Sequence, residues 1–170
     1  MKLTTRTMAY AAVIAAVYAA LCYAMQPIAF GAMQLRVSEA LTLLPLLFPF
    51  AVPGLFVGCI LANLASPMAF LDIPFGSLAT LLAALLTWQI GRRVKNRTLA
   101  LLLAPLPPVL CNAVIVGAML AFTSGEAITP ASFSLFALDI GVTEAIVCYV
   151  LGIPLVLVLQ GIFNKQHTSL

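Results

Sequence analysis

The sequence has 170 residues, of which 64% are hydrophobic and only 8% charged, with a formal net charge of +3 and a mean hydropathy of +1.16. A soluble domain carries about 25% charged residues, so this chain cannot clothe a water-facing surface and is an integral membrane protein. Its apolar runs are continuous, which excludes a transmembrane barrel of alternating strands and leaves an all-α protein of roughly five to seven helices of about 20 residues each.

The first span is predicted from about Thr7 to Met25. Lys2 and Arg6 give it a positive start, but the apolar stretch after Met8 is long for a signal peptide, so it is read as a membrane helix. Ala11, Ala15 and Ala19 form one row along it, and Ala12, Ala16, Ala20 and Ala24 another. Small residues four apart let lipid-embedded helices approach closely. The two rows are therefore either a partner-docking face or an internal packing face. Gln26-Pro27 ends the helix, because proline disfavours helical geometry in the residue before it. The loop from about Gln26 to Arg36 is long and amphipathic, and it is expected to fold back over a cavity as a lid.

Between Arg6 and Asp72 the only charged residues are Arg36 and Glu39. Ionisable groups in or near a bilayer are costly and mark functional sites by default. Arg36 either pairs with Glu39 at i,i+3 spacing or binds and gates a substrate. The second span is predicted from about Val37 to Phe50 and the third from about Val52 to Ala65. Both are short and interrupted by Pro45, Pro49 and Pro53, and broken helices line cavities where freed backbone groups find partners other than lipid. Gly54 and Gly58 mark a close-contact row, and Asn63 lies near the end of the third span.

Ser66-Pro67 leads into Leu71-Asp72-Ile73-Pro74-Phe75-Gly76 and a fourth span ending near Ile90. Asp72 is either a helix-start residue ahead of Pro74 or part of a polar cavity. Arg92, Arg93, Lys95 and Arg97 crowd a short loop and mark the cytoplasmic side. The fifth span, about Leu99 to Phe122, carries Pro105, Pro107 and Pro108 and then Asn112 at mid-depth. A polar loop is expected from Thr123 to about Ser134. Glu126 and Asp139 are read as solvated loop or cap groups. The sixth span, about Leu135 to Phe163, holds Glu144 and is expected to break near Gly141 or Pro154.

Six spans put both termini on one side. Lys2, Arg6, the Arg92–Arg97 cluster and Lys165 then all face the cytoplasm, leaving Arg36 as the exception. The expected architecture is a six-helix bundle forming one transmembrane domain, 1–170, in the plasma or inner membrane, with short proline-broken second and third helices and both termini cytoplasmic. Nearly all polar residues then fall in the outer half. A faint echo supports this map: Val37-Ser38-Glu39-Ala40-Leu41 is matched by Val142-Thr143-Glu144-Ala145-Ile146.

No glycine-rich loop ending in Lys-Ser/Thr is present, and the single histidine, His167, lies in the tail, which excludes an intramembrane triad or His-based metal site. Cys22, Cys59, Cys111 and Cys148 show no CxxC spacing and read as packing residues. No enzyme activity, cofactor, metal or nucleic-acid partner is expected. The acceptors Glu39, Asp72, Glu144, Asn63, Asn112 and Gln34 suit a compact polar or cationic solute better than an anion, since buried carboxylates need donors. Three readings stand: a substrate-capture subunit, a stand-alone secondary transporter or channel for a small polar solute, and a membrane assembly partner.

The run Gln34-Leu35-Arg36-Val37-Ser38-Glu39-Ala40-Leu41, followed by Leu44-Pro45, resembles the hallmark of the QueT family. Ala62-Asn63-Leu64, Leu71-Asp72-Ile73-Pro74-Phe75-Gly76, Cys111-Asn112-Ala113 and Glu144-Ala145-Ile146 are similar to further family segments, in order along the chain. The family comprises substrate-capture (S) components of energy-coupling-factor vitamin transporters. The resemblance implies capture of a queuosine precursor, a 7-deazaguanine base, beneath the loop joining the first two helices. It also implies docking on a coupling transmembrane subunit driven by two ATPase subunits. Against a guanine-like edge, Glu39 and Glu144 are expected as the acceptors, with Asn63, Asn112, Asp72, Gln34 and Arg36 in support, and the rows Ala11, Ala12, Ala15, Ala16, Ala19 and Ala20 resemble the docking face of this class.

Overall fold

The computed structural model describes residues 4–29, 35–125 and 129–168, with side chains described as far as residue 163. Every regular element among them is helical. Four are long and apolar enough to cross a membrane: α1 (Thr5–Ala24), α4 (Ala69–Arg93), α5 (Arg97–Thr123) and α6 (Pro130–Phe163). Two shorter apolar helices lie between the first and second of these, α2 (Val37–Leu46) and α3 (Ala51–Asn63). At ~2.0 Å per residue for α2, which is a 3-10 helix, and ~1.5 Å for α3, each rises roughly 20 Å. Neither alone spans a hydrocarbon core of about 30 Å.

The expected loop from Gln26 begins instead with a helical turn, Gln26–Ala29, in which the amide nitrogens of Ile28 and Ala29 both donate to the Met25 carbonyl, at 2.9 and 2.8 Å. The rest of that loop, Gln34 included, lies outside the described residues. The last helix starts earlier than expected. Thr129 caps it, with Ser132 completing a reciprocal capping box and Pro130 in the first turn, so residues 130–134 are helix and not loop. Asp139 consequently sits well inside α6 as an exposed residue, not at a cap or in a loop. Glu126 is outside the described residues. Of the two expected breaks in this helix, the one by Pro154 is present, as a π-turn over Cys148–Gly152. At the end of α5, Gly125 adopts φ 74°, the left-handed conformation that stops a helix.

α2 sits at the centre of the packing. It contacts α4, α6, α1 and α3, and its Leu44 and Leu43 belong to two separate apolar clusters, one with Tyr18, Leu55 and Cys59 and one with Ala104, Cys148 and Val156. α1 lies against α3, and α5 against both α4 and α6.

Glycine decides how closely α3 meets α1. A Cβ on Gly54 would stand 2.6 Å from the Ala11 carbonyl oxygen, and one on Gly58 3.0 Å from the Ala15 Cα. This splits the two alanine rows. Ala15 and Ala19 are buried and Ala11 half-buried, whereas Ala12, Ala16 and Ala20 remain exposed. The Gly54→Val variant is expected to lose about 1–3 kcal/mol of stability through overpacking against backbone, read as a lower thermal-unfolding midpoint in detergent. A Cβ on Gly161 meets nothing within 4 Å, so Gly161→Ala is expected to leave that midpoint unchanged or slightly raised.

Candidate functional site

The 3-10 geometry of α2 governs the site. With three residues per turn, side chains at i and i+3 eclipse, so Arg36, Glu39 and Thr42 follow one line down the helix. All three are buried. The Thr42 hydroxyl donates to the Glu39 carbonyl at 2.6 Å and is thereby satisfied within its own helix. Ser38 points to α1, its Oγ 2.9 Å from the Cys22 sulfur.

Glu39 is 1% exposed. The Tyr18 hydroxyl of α1 donates to its Oε1, while Oε2 has no hydrogen-bond partner among the described residues. Glu144 of α6 is 7% exposed, and its Oε1 meets the Cys148 thiol at 3.6 Å. Asn112 of α5 stands beside Glu144, yet its Nδ2 makes no hydrogen bond of good geometry. Arg36, Glu39, Asn112 and Glu144 line one small cavity, walled on its apolar side by Val116 and Ile140. Its volume is about 10 Å³, room for about one water molecule.

A second polar group adjoins the first through Arg36. Its guanidinium pairs with Asp72 of α4, Nη2 to Oδ1 at 4.0 Å. The i,i+3 ion pair with Glu39 does not form. Along a 3-10 helix the two side chains stack in one row, and Arg36 extends sideways to α4. Asp72 is buried and its Oδ2 accepts from the Ser66 hydroxyl. It begins a π-turn, Asp72–Gly76, that contains Pro74, a local irregularity common at functional sites. Asn63 donates to the Asp72 carbonyl at 2.7 Å and to Cys59 at 3.4 Å. Gly76 leaves the space these groups need: a Cβ there would lie 2.8 Å from Asn63 Nδ2 and 3.7 Å from an Arg36 nitrogen.

Of the residues singled out from the sequence, the structure thus brings Arg36, Glu39, Asn112 and Glu144 to the cavity. It sets Asp72 and Asn63 behind Arg36. Tyr18 and Ser66, missed from the sequence, are the donors that hold Glu39 and Asp72. A signal for Tyr18 existed: tyrosines of membrane helices favour the interface belts, and one buried in mid-span needs an acceptor for its hydroxyl. Among the described residues no group of three His, Cys, Asp or Glu could hold a metal ion.

One guanidinium therefore faces three carboxyl groups in a nearly dry interior. Such a site can recognise a neutral or cationic molecule rich in N–H donors, because unpaired buried acceptors are costly. In Tyr18→Phe the buried Glu39 Oε1 loses its donor. A destabilisation of about 1–3 kcal/mol is expected, measured by thermal unfolding in detergent.

Comparison with known proteins agrees with this picture. The family model described as QueT transporter matches residues 8–161. No curated protein and no solved structure matches the chain. With nearly its whole length matched and several apolar helices able to cross a bilayer, the chain belongs to the QueT transporter family and is a multi-pass membrane transport protein.

Proposed function

We propose that the chain is the substrate-capture (S) component of an energy-coupling-factor transporter, and that it takes up a queuosine precursor, a 7-deazaguanine base, from outside the cell. In this reading the six helical segments form one domain with both termini cytoplasmic. The base is handed to a coupling transmembrane subunit energised by two ATPase subunits. The observation that carries the reading is the convergence of Glu39 and Glu144, 105 positions apart in the sequence, on one cavity that Asn112 also lines.

The chemistry matches a guanine-like edge. Its ring N–H and exocyclic amine stand side by side, and one carboxylate accepts both in the stronger, two-point geometry. Glu144 is the better candidate for that pair, because only a weak thiol donor meets its Oε1. Glu39 already spends Oε1 on Tyr18. Its Oε2 is left for a single donor, such as an aminomethyl group on the base. Asn112 supplies an amide N–H for the base carbonyl. A cavity of about 10 Å³ does not hold a heterocycle, so in this reading the wall carrying Val116 and Ile140 moves away from Arg36 and Glu39 when the base enters. Arg36, Asp72 and Asn63 set the electrostatics behind the site. Gln34, outside the described residues, remains part of the proposed ligand set through the family resemblance.

Docking is assigned to the outer row of α1, Ala12, Ala16 and Ala20. The inner row packs within the chain, with Ala15 against Gly58. Binding of 7-deazaguanine bases to the purified protein, followed by calorimetry, tests the reading. Glu39→Gln and Glu144→Gln are each expected to weaken binding by at least about tenfold, the value of one hydrogen bond to a charged group. Unchanged affinity in both would overturn the assignment. In cells, Ala16→Leu is expected to stop ATP-driven uptake while the purified variant binds as before. Uptake persisting without any coupling ATPase would favour a stand-alone transporter instead.

A further inference from the structure

We propose that the turn between α4 and α5 holds an anionic phospholipid, with the headgroup on Arg92 and Arg93 and one acyl chain in the adjoining groove. Two recesses meet at this end of the chain. One, of about 360 Å³, is lined by Trp88, Gln89, Arg92 and Arg93. The other, of about 350 Å³, runs between α4 and α5 and is walled by aliphatic side chains such as Leu86, Leu103, Leu106 and Leu110. Gln89 and Arg93 line both, so the cationic recess and the apolar one adjoin. A ligand that fills the pair is charged at one end and aliphatic at the other.

The charge argues for the anionic class of lipid. Arg92 and Arg93 are exposed, and among the described residues neither has a carboxylate partner. Asp72 stands at the opposite end of α4, ~30 Å away along the helix, where it answers Arg36. Arg97, by contrast, is already engaged: its guanidinium donates to Gln160 Oε1, with Nε at 2.9 Å. The Arg92 guanidinium lies over the Trp88 ring, 5.1 Å from its centroid, and both side chains line the recess. Trp88 lies near the end of a helix long enough to cross a membrane, and tryptophans at such ends favour the headgroup level of a bilayer. Basic pockets between membrane helices recognise anionic headgroups in this way.

Trp88 is the only tryptophan in the sequence and adjoins both arginines, so it reports occupancy directly. The test places the full chain in phosphatidylcholine nanodiscs. It titrates in phosphatidylglycerol or phosphatidylcholine carrying the same brominated acyl chains and follows quenching of Trp88 fluorescence. Brominated phosphatidylglycerol is expected to quench at a severalfold lower mole fraction. R92Q/R93Q is expected to abolish the preference, and R93Q alone to reduce it by about fivefold. Equal quenching by the two lipids would overturn the proposal, as would a preference that survives in R92Q/R93Q with unaltered elution and emission. Excess inorganic phosphate is expected to leave the quenching unchanged. Complete relief by phosphate would assign the recess to a free anion and also overturn the lipid.

Discussion

A carboxylate removed from water keeps its place only if the protein supplies what water supplied. Glu39 imposes that condition on the centre of this chain. Tyr18 reaches it from α1, and Tyr18 is itself fully buried among Cys22, Leu44, Leu55 and Cys59. The neighbours of Glu39 on α2 close off their own polar groups, Thr42 on a carbonyl of the same helix and Ser38 on Cys22. Arg36 is drawn to Asp72, and Asp72 to Ser66. A chain with few charged residues thus gathers four of them, with their donors, into one connected region.

The unusual helix type makes this arrangement compact. An α-helix would fan Arg36, Glu39 and Thr42 across a face, whereas the 3-10 winding stacks them in a row. The row presents one edge to α1 and α4 and another to α6. Pro45 stands inside this helix, and Leu47 and Phe48 close the turn onto the Leu44 carbonyl at 3.0 and 2.9 Å. The helix is too short to cross a bilayer alone, and the four helices long and apolar enough to do so lie before and after it in the chain.

Much of this was legible in residue patterns. Charge scarcity exposed Arg36 and Glu39, and the echo between residues 37–41 and 142–146 brought Glu144 beside Glu39 before any coordinates. Prolines located the broken helices, and Gly54 and Gly58 the close contact with α1. The partner of Arg36 was not legible, because local spacing along one helix does not show which carboxylate the fold brings in from another. Nor was the division of the alanines, since identical residues at identical spacing carry no mark of which row meets glycine on α3. The start of the last helix was misplaced for a different reason. Thr129, Pro130 and Ser132 form a helix start that a mostly polar composition disguises as loop.

The second glycine contact sets how the cavity is held together. On α5, a Cβ at Gly117 would lie 2.9 Å from the Ala137 Cα of α6, so these two helices are locked backbone to backbone as α1 and α3 are. Asn112, Val116, Ile140 and Glu144 therefore belong to one rigid plate. Arg36 and Glu39 are carried by α2, which is tied to α4 and α1 by side chains and meets α6 closely at Gly152, where a Cβ would lie 3.2 Å from the Ala40 carbonyl. The cavity lies where α2 meets this plate, so three helices share its lining and a change in the packing of any one of them reaches both glutamates.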